Sequence, residues 1–266
     1  MKRPLLFYSQ LAFTLLVCLF MIVPVLLSML AGITENYFIG LRSGLTTRWL
    51  AEVWQMYSGT LWLSLYLALA CLLCTLLLGV PAAYGLLKSS RRWAHFIEEC
   101  LLMPVAIPGL ATALGLLLVY GQFQALRGSW LFILIGHVLF TLPFMIRPVL
   151  SVMRAIDLLR LEEAAASLGA GFLRRFMTVV VPNCANGILA GAFMVLTLSI
   201  GEFNITWMLH TPMTKTLPVG LADSYASMRL EVGSAYTLIF LLMIVPLLLI
   251  MQWLGKPQDK TKEKLS

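Results

Sequence analysis

The sequence predicts an all-α, polytopic membrane protein with six transmembrane helices, and three observations predict it. Hydrophobic residues make up 60% of the 266-residue chain and charged residues 12%, about half the charge of an average soluble domain, with a mean hydropathy of +0.90. Six uncharged runs follow one another: Pro4–Thr34, Val53–Leu87, Cys100–Leu126, Gly128–Ile146, Phe176–Gly201 and Val232–Gly255. Each reaches the ~18 residues that a helix needs to cross ~30 Å of hydrocarbon. Finally, the basic residues are segregated between alternate loops. Backbone polar groups find no water inside a bilayer, so helices are the default way across. The short alternating segments of a β-barrel are missing.

The runs place spans at roughly 7–30, 60–87, 100–121, 129–147, 186–209 and 233–254. The first is too long for a signal-peptide core and has no clear small-residue cleavage site after it, so it reads as a retained helix. In the loop at 31–58, Trp49-Leu50-Ala51-Glu52-Val53-Trp54 reads as a short amphipathic helix at the interface. The brief basic turn Lys88–Arg92 makes spans two and three antiparallel neighbours. Span three opens with Pro104, Pro108 and Gly109, which predict a kink or a restart. The segment 147–183 predicts a helix from Arg154 to Ala166, a stop at Gly169 with a second chance at Gly171, and another short helix from Phe172. Pro182 marks the start of span five, where Gly187-x-x-x-Gly191 lets helices approach closely. Thr216-Leu217-Pro218-Val219-Gly220 falls in the last outward loop, and the polar tail 256–266 has the composition of a disordered segment.

Charge gives the orientation. The N-terminus, residues 88–99, residues 147–175 and the tail from Lys256 hold 14 of the 19 Lys and Arg residues. Both termini are therefore expected in the cytoplasm. The net charge of +7 follows this topology and is no nucleic-acid footprint. Five cysteines, an odd number with three deep in apolar runs, argue against a disulfide framework. Cys71 and Cys74 read as packing. His95, His137 and His210 are isolated, so no metal cluster is expected; His137 is a weaker candidate for a transport path. No G-x-x-x-x-G-K-[ST] sequence is present, so this chain is not expected to hydrolyse nucleotide.

The most specific motif lies between spans four and five: Glu163-Ala164-Ala165, three residues, Gly169, then Val179-x-Val181-Pro182. It resembles the EAA motif of membrane subunits in binding-protein-dependent type I ABC importers. That family usually has Ile and Leu at the positions of Val179 and Val181. Leu61-Trp62-Leu63-Ser64-Leu65, Pro81-Ala82-Ala83-Tyr84, Pro104…Pro108-Gly109, Gly201-Glu202-Phe203 and Thr216-Leu217-Pro218 extend the likeness over about residues 55–255. It is similar above all to the branch with polyamine, phosphonate, thiamine, iron and sulfate or molybdate permeases.

The resemblance implies one permease domain over 1–266, with a cytoplasmic coupling segment at about 148–183. Glu163, Ala164, Ala165, Gly169, Ala170 and Pro182 would couple to two separate ABC ATPases, which bind the ATP and Mg; no cofactor is expected on this chain. A second permease, hetero-oligomeric in preference to a copy of this chain, and a periplasmic binding protein complete the expected assembly in the inner membrane. Small residues at 164–166 can sit deep in a groove, and Glu163 can make a charge-assisted contact.

Glu202 is the only carboxylate well inside an expected span, and such a group faces a cavity or a partner rather than lipid. One reading puts Gly201, Glu202, Phe203 and Asn204 at the translocation path or gate. The other pairs Glu202 with a neighbouring helix. Neither decides the charge of the solute. An ion-gradient-driven secondary transporter is the alternative function, but it would be expected to carry several intramembrane carboxylates and an inverted repeat. An intramembrane enzyme would need a catalytic constellation that Ser64, Ser199 and His137 do not form.

Overall fold

The computed structural model describes residues 2–254; the polar tail lies outside them. Among the described residues every regular element is helical, apart from one isolated antiparallel bridge between Thr34 and Leu45. The order begins with α1 Lys2–Ala31, a 3-10 turn at Gly40–Ser43, α2 Arg48–Lys88, α3 Arg91–Cys100, α4 Met103–Ala106 and α5 Gly109–Tyr120. It continues with α6 Gln124–Arg127, α7 Trp130–Ala155, α8 Leu158–Ser167, α9 Phe172–Arg175 and a π turn at Phe176–Val180. The last elements are α10 Val181–Asn183, α11 Ala185–Gly201, α12 Asn204–Leu209, α13 Leu217–Ala226 and α14 Leu230–Leu254.

Four helices are each long and apolar enough to cross a membrane: Leu6–Ala31, Arg48–Lys88, Trp130–Ala155 and Leu230–Trp253. Two further candidates are bent pairs, Arg92–Ala106 with Gly109–Tyr120 at 99° and Phe172–Asn183 with Ala185–Gly201 at 72°. The first bend has a local cause. Ile107 is extended (ψ 133°) and Pro108 starts α5, because a proline ring pushes the preceding residue out of the helical region. The expected restart is therefore a sharp break. Residues 49–54 are the first turns of α2, not a separate surface helix. Leu217–Pro218 open a helix where the sequence suggested a loop.

The chain divides into two compact units. One comprises the residues up to Gly59 with Val219–Met243. There a Cβ at Gly32 would stand 2.6 Å from the Ala235 amide nitrogen, so only glycine permits that approach. The Glu231 carboxylate accepts from the Tyr37 amide at 2.9 Å. Arg229 donates to the Tyr57 hydroxyl at 2.9 Å and pairs with Glu52. In the same unit, side chains of α1 from Leu6 to Val25 are exposed, so this apolar helix needs a hydrocarbon-like solvent.

The other unit comprises Thr60–Pro218 and the described residues from Ile244 onward. Its core is built on α7, whose Phe132, Ile133, Met145, Ile146, Leu150 and Met153 are buried. The α11 helix packs closely on α7 through its two spaced glycines. A Cβ at Gly187 would meet the Pro148 carbonyl oxygen at 2.8 Å and Val149 Cα at 3.0 Å, and one at Gly191 would meet Met145 Cα at 3.1 Å. Neither backbone can give way. Gly187→Leu should therefore destabilise by ~1–3 kcal/mol or more through overpacking, read as a lowered thermal unfolding midpoint in detergent. An unchanged midpoint would show that the two helices can separate without cost.

All five cysteines are free. Cys71 is buried with its Sγ 3.2 Å from Thr141 Oγ1, a packing role as expected.

Candidate functional site

Two regions hold the residues singled out from the sequence. The first is the elbow between α7 and α11. The α7 helix runs to Ala155, and the chain then turns at Asp157, which has φ 49°. Aspartate tolerates this left-handed conformation better than most residues. The expected single helix from Arg154 is thus two pieces, and α8 starts at Leu158. Its end matches the expectation at Gly169, with φ +82° and its amide donating to Ala166 O at 2.9 Å. The Ala170 amide returns to Ala165 O at 3.2 Å.

The α8 helix is two-faced with helical periodicity. Leu158 and Glu162 are buried, and Ala165 and Ala166 half-buried, on one face. Glu163, Ala164, Ser167 and Leu168 are exposed on the other. Of the motif residues, Glu163, Ala164 and Gly169 are therefore surface groups, and Ala165 and Ala170 are half-buried. Pro182 is exposed in the first turn of α10. The outer surface of the elbow is apolar: Leu161 is 42% exposed, Phe172 57%, Leu173 71% and Leu168 88%.

Glu162, absent from the sequence-derived set, is the best-connected residue here. Its Oε1 accepts from the Tyr84 hydroxyl at 2.6 Å and from Lys88 Nζ at 3.0 Å, and Lys88 also reaches Oε2 at 3.0 Å. Arg175 Nε lies 3.4 Å from Oε1, acting through charge without a hydrogen bond. Burial works against the Glu162 charge. The hydrogen bonds from Tyr84 and Lys88 and the nearby Lys88 and Arg175 charges outweigh it and hold the carboxyl below its usual value. A depressed carboxyl contributes stability above its unfolded pKa and loses it as pH falls through the folded value, so the cluster is assembled at neutral pH. The sequence carried one signal for it: Tyr84 and Lys88 stand four apart at the end of α2, on one helical face.

The second region is the break between α11 and α12. Glu202 leaves the helix (ψ 123°) and its side chain turns forward to cap α12. The carboxylate accepts from the Ile205 amide at 2.8 Å, the Thr206 amide at 2.9 Å and the Thr206 hydroxyl at 3.0 Å. Arg127 Nη1 donates to Leu209 O at 2.6 Å at the other end. The six-residue helix is thus closed by an anion at its positive end and a cation at its negative end. His137 is buried against the same cap, with Nδ1 2.9 Å from Ser199 Oγ and Nε2 2.8 Å from Thr206 Oγ1. Because the Thr206 proton goes to the carboxylate, its oxygen accepts from His137 Nε2–H, and Nδ1 accepts from Ser199. A neutral His137 in that tautomer satisfies every contact. The structure brings Glu202 and His137 together, 3.7 Å apart, which the sequence did not suggest. Gly201 and Asn204 are exposed, and Phe203 is half-buried against Trp207 at 5.3 Å between ring centres. Among the described residues no group of His, Cys, Asp and Glu could hold a metal ion.

The family model for the binding-protein-dependent transport system inner membrane component matches residues 75–260. A Salmonella choleraesuis (strain SC-B67) protein, provisionally named as a 2-aminoethylphosphonate transport system permease protein, is 26% identical over 85% of this chain and 83% of its own length. The putrescine transport system permease protein of Escherichia coli (strain K12) is 26% identical over 80% and 78%. Among solved structures, a chain of a bacterial ABC transporter involved in the import of the acidic polysaccharide alginate superposes with a TM-score of 0.74. That likeness covers 97% of this chain and 98% of the other at 14% identity and concerns the fold alone.

Proposed function

The chain belongs to the binding-protein-dependent transport system inner membrane components, the permease subunits of type I ABC importers, and from that premise we propose how it works. It is one permease domain of six spans with both termini in the cytoplasm, the two bent pairs serving as spans three and five. It forms half of a translocation path with a second, different permease. A periplasmic binding protein delivers a small solute of the polyamine, phosphonate, thiamine, iron or oxyanion class. Two ABC ATPases bind ATP and Mg and dock on the elbow at 158–173; the permease itself carries no cofactor. Closure of the ATPase pair rocks the two permeases between inward- and outward-open states, a rigid-body motion at a shared interface.

The observation that carries this reading is the outer face of the elbow. Leu168 and Leu173 are 88% and 71% exposed in a segment whose basic flanks support a cytosolic location. Exposed apolar groups of that size in water call for a protein partner. Glu163 and Ala164 give that face a charge and a shallow contour. At the other region, Gly201, Phe203 and Asn204 line the path, and the Glu202 carboxylate fixes their backbone at the gate.

The test is capture. A photo-crosslinker placed at Leu168 or Leu173 in the assembled transporter should trap a soluble ATPase in stoichiometric amount. Failure to trap one in an active preparation, or uptake driven by a proton or sodium gradient without ATP, would sink the reading and favour a secondary transporter.

A further inference from the structure

We propose that Glu162 is a positioning residue that fastens the coupling helix to the inner end of the second span, so that α8, the start of α9 and the last turn of α2 move as one body. The inference rests on the docking function assigned above to the elbow and extends it inward. Two adjacent acids on α8 point apart: Glu163 is exposed, whereas the Glu162 side chain is 6% exposed. The outward acid can meet a partner; the inward one cannot.

What Glu162 holds is specific. Three elements converge on one carboxylate: α2 through Tyr84 and Lys88, α8 through Glu162 itself, and the 172–176 segment through Arg175. Aromatic packing closes the same joint. The Tyr84 ring lies 5.5 Å from Phe176, edge-on, and 6.1 Å from Phe172, while Lys88 Nζ sits 4.6 Å over its face. Charge-assisted bonds of this kind are short and directional. Losing the carboxylate would leave the buried Arg175 Nε without the anion that stands 3.4 Å from it. A push on α8 can reach the membrane only through what joins α8 to a span. Its chain connection to α7 runs through the two residues at Ile156–Asp157, outside either helix. Its other chain connection leads through residues 168–171 into the bent pair Phe172–Asn183 and Ala185–Gly201, and the Glu162 clasp adds a non-covalent connection to a third span, α2.

The test uses the assembled transporter with its ATPases. Cysteines replace Gly85 on α2 and Arg160 on α8, both exposed, in a background freed of accessible thiols. Spin labels there report the distance between the two helices, without nucleotide and after trapping with Mg-ATP and vanadate. The wild-type clasp should give one narrow distance, identical in both states. Glu162→Gln should broaden it and make it shift with nucleotide, while the ATPases still co-purify because the outer face is untouched. Tyr84→Phe, which removes only the hydroxyl, should broaden it less. The double variant should be broader than either single one, since glutamine still offers the Tyr84 hydroxyl an acceptor that Tyr84→Phe leaves unused. Should Glu162→Gln fail to insert, Tyr84→Phe alone still decides. A distance that changes with nucleotide in the wild type, or stays narrow and fixed in both variants, overturns the proposal. If the wild-type chain captures no ATPase at all, the docking reading fails first and this one with it.

Discussion

Replacing Gly169 with valine should abolish coupled ATP hydrolysis in the assembled transporter while the chain still inserts and folds. The backbone there has φ +82°, a conformation that costs most L-residues ~1–2 kcal/mol and a β-branched one more. That strain corresponds to a factor of roughly 5–30 in population, so most elbows would leave α8 along another direction. Leu168 and Phe172, on either side of Gly169, would no longer present one surface. The rest of the chain should not register the change, because a Cβ at Gly169 finds nothing within 4 Å. Asparagine visits the left-handed region readily, so Gly169→Asn should retain most of the coupling. The comparison separates backbone direction from added bulk. It is read from ATPase co-purification and from hydrolysis in reconstituted complexes. Full coupling in the valine variant would show that the exit from α8 is no part of the joint.

The features legible in the sequence were those set by local chemistry. Uncharged length marked the apolar helices, spaced glycines marked a close approach on α11 without naming α7 as its partner, and Gly169 marked the end of α8. The breaks were legible only in part. Pro108 announced one, but nothing at Gly201-Glu202-Phe203 looks like a helix stop, since the chain leaves the helix there to let an acid cap the next one. Asp157 ends α7 in a left-handed turn that its neighbours in sequence do not demand. Glu162 was hidden for a different reason. Two adjacent glutamates have the same chemistry, and only the pitch of α8 against Tyr84 and Lys88, more than seventy residues earlier, makes one of them internal. Hydrophobic pattern finds apolar faces; it does not say which polar group a tertiary partner will claim. The same limit applies to His137, whose partners Ser199 and Thr206 lie 62 and 69 residues away in sequence.

Glu202→Ala should cost ~2–4 kcal/mol of stability, since it removes an N-terminal cap and leaves buried donors unpaired. The Ile205 and Thr206 amides and the Thr206 hydroxyl all lose their acceptor. No water is at hand to replace it if the site lies within the bilayer. The loss should spread, because Thr206 freed from the carboxylate can turn its proton on His137, whose contact with Ser199 then loses its fixed tautomer. Glu202→Gln keeps one acceptor oxygen and the shape but loses the charge at the positive end of α12, so about half that cost is expected. The exposed neighbour gives the contrast. Asn204→Ala touches no side-chain hydrogen bond in the cap and should stay within ~0.5 kcal/mol of the parent. If the path runs past 201–204, this variant should still change transport. Thermal midpoints in detergent and transport in proteoliposomes, measured on all three variants, separate a brace from a lining residue. A Glu202→Ala protein as stable as the parent would mean that the cap on α12 contributes nothing to the stability of the fold.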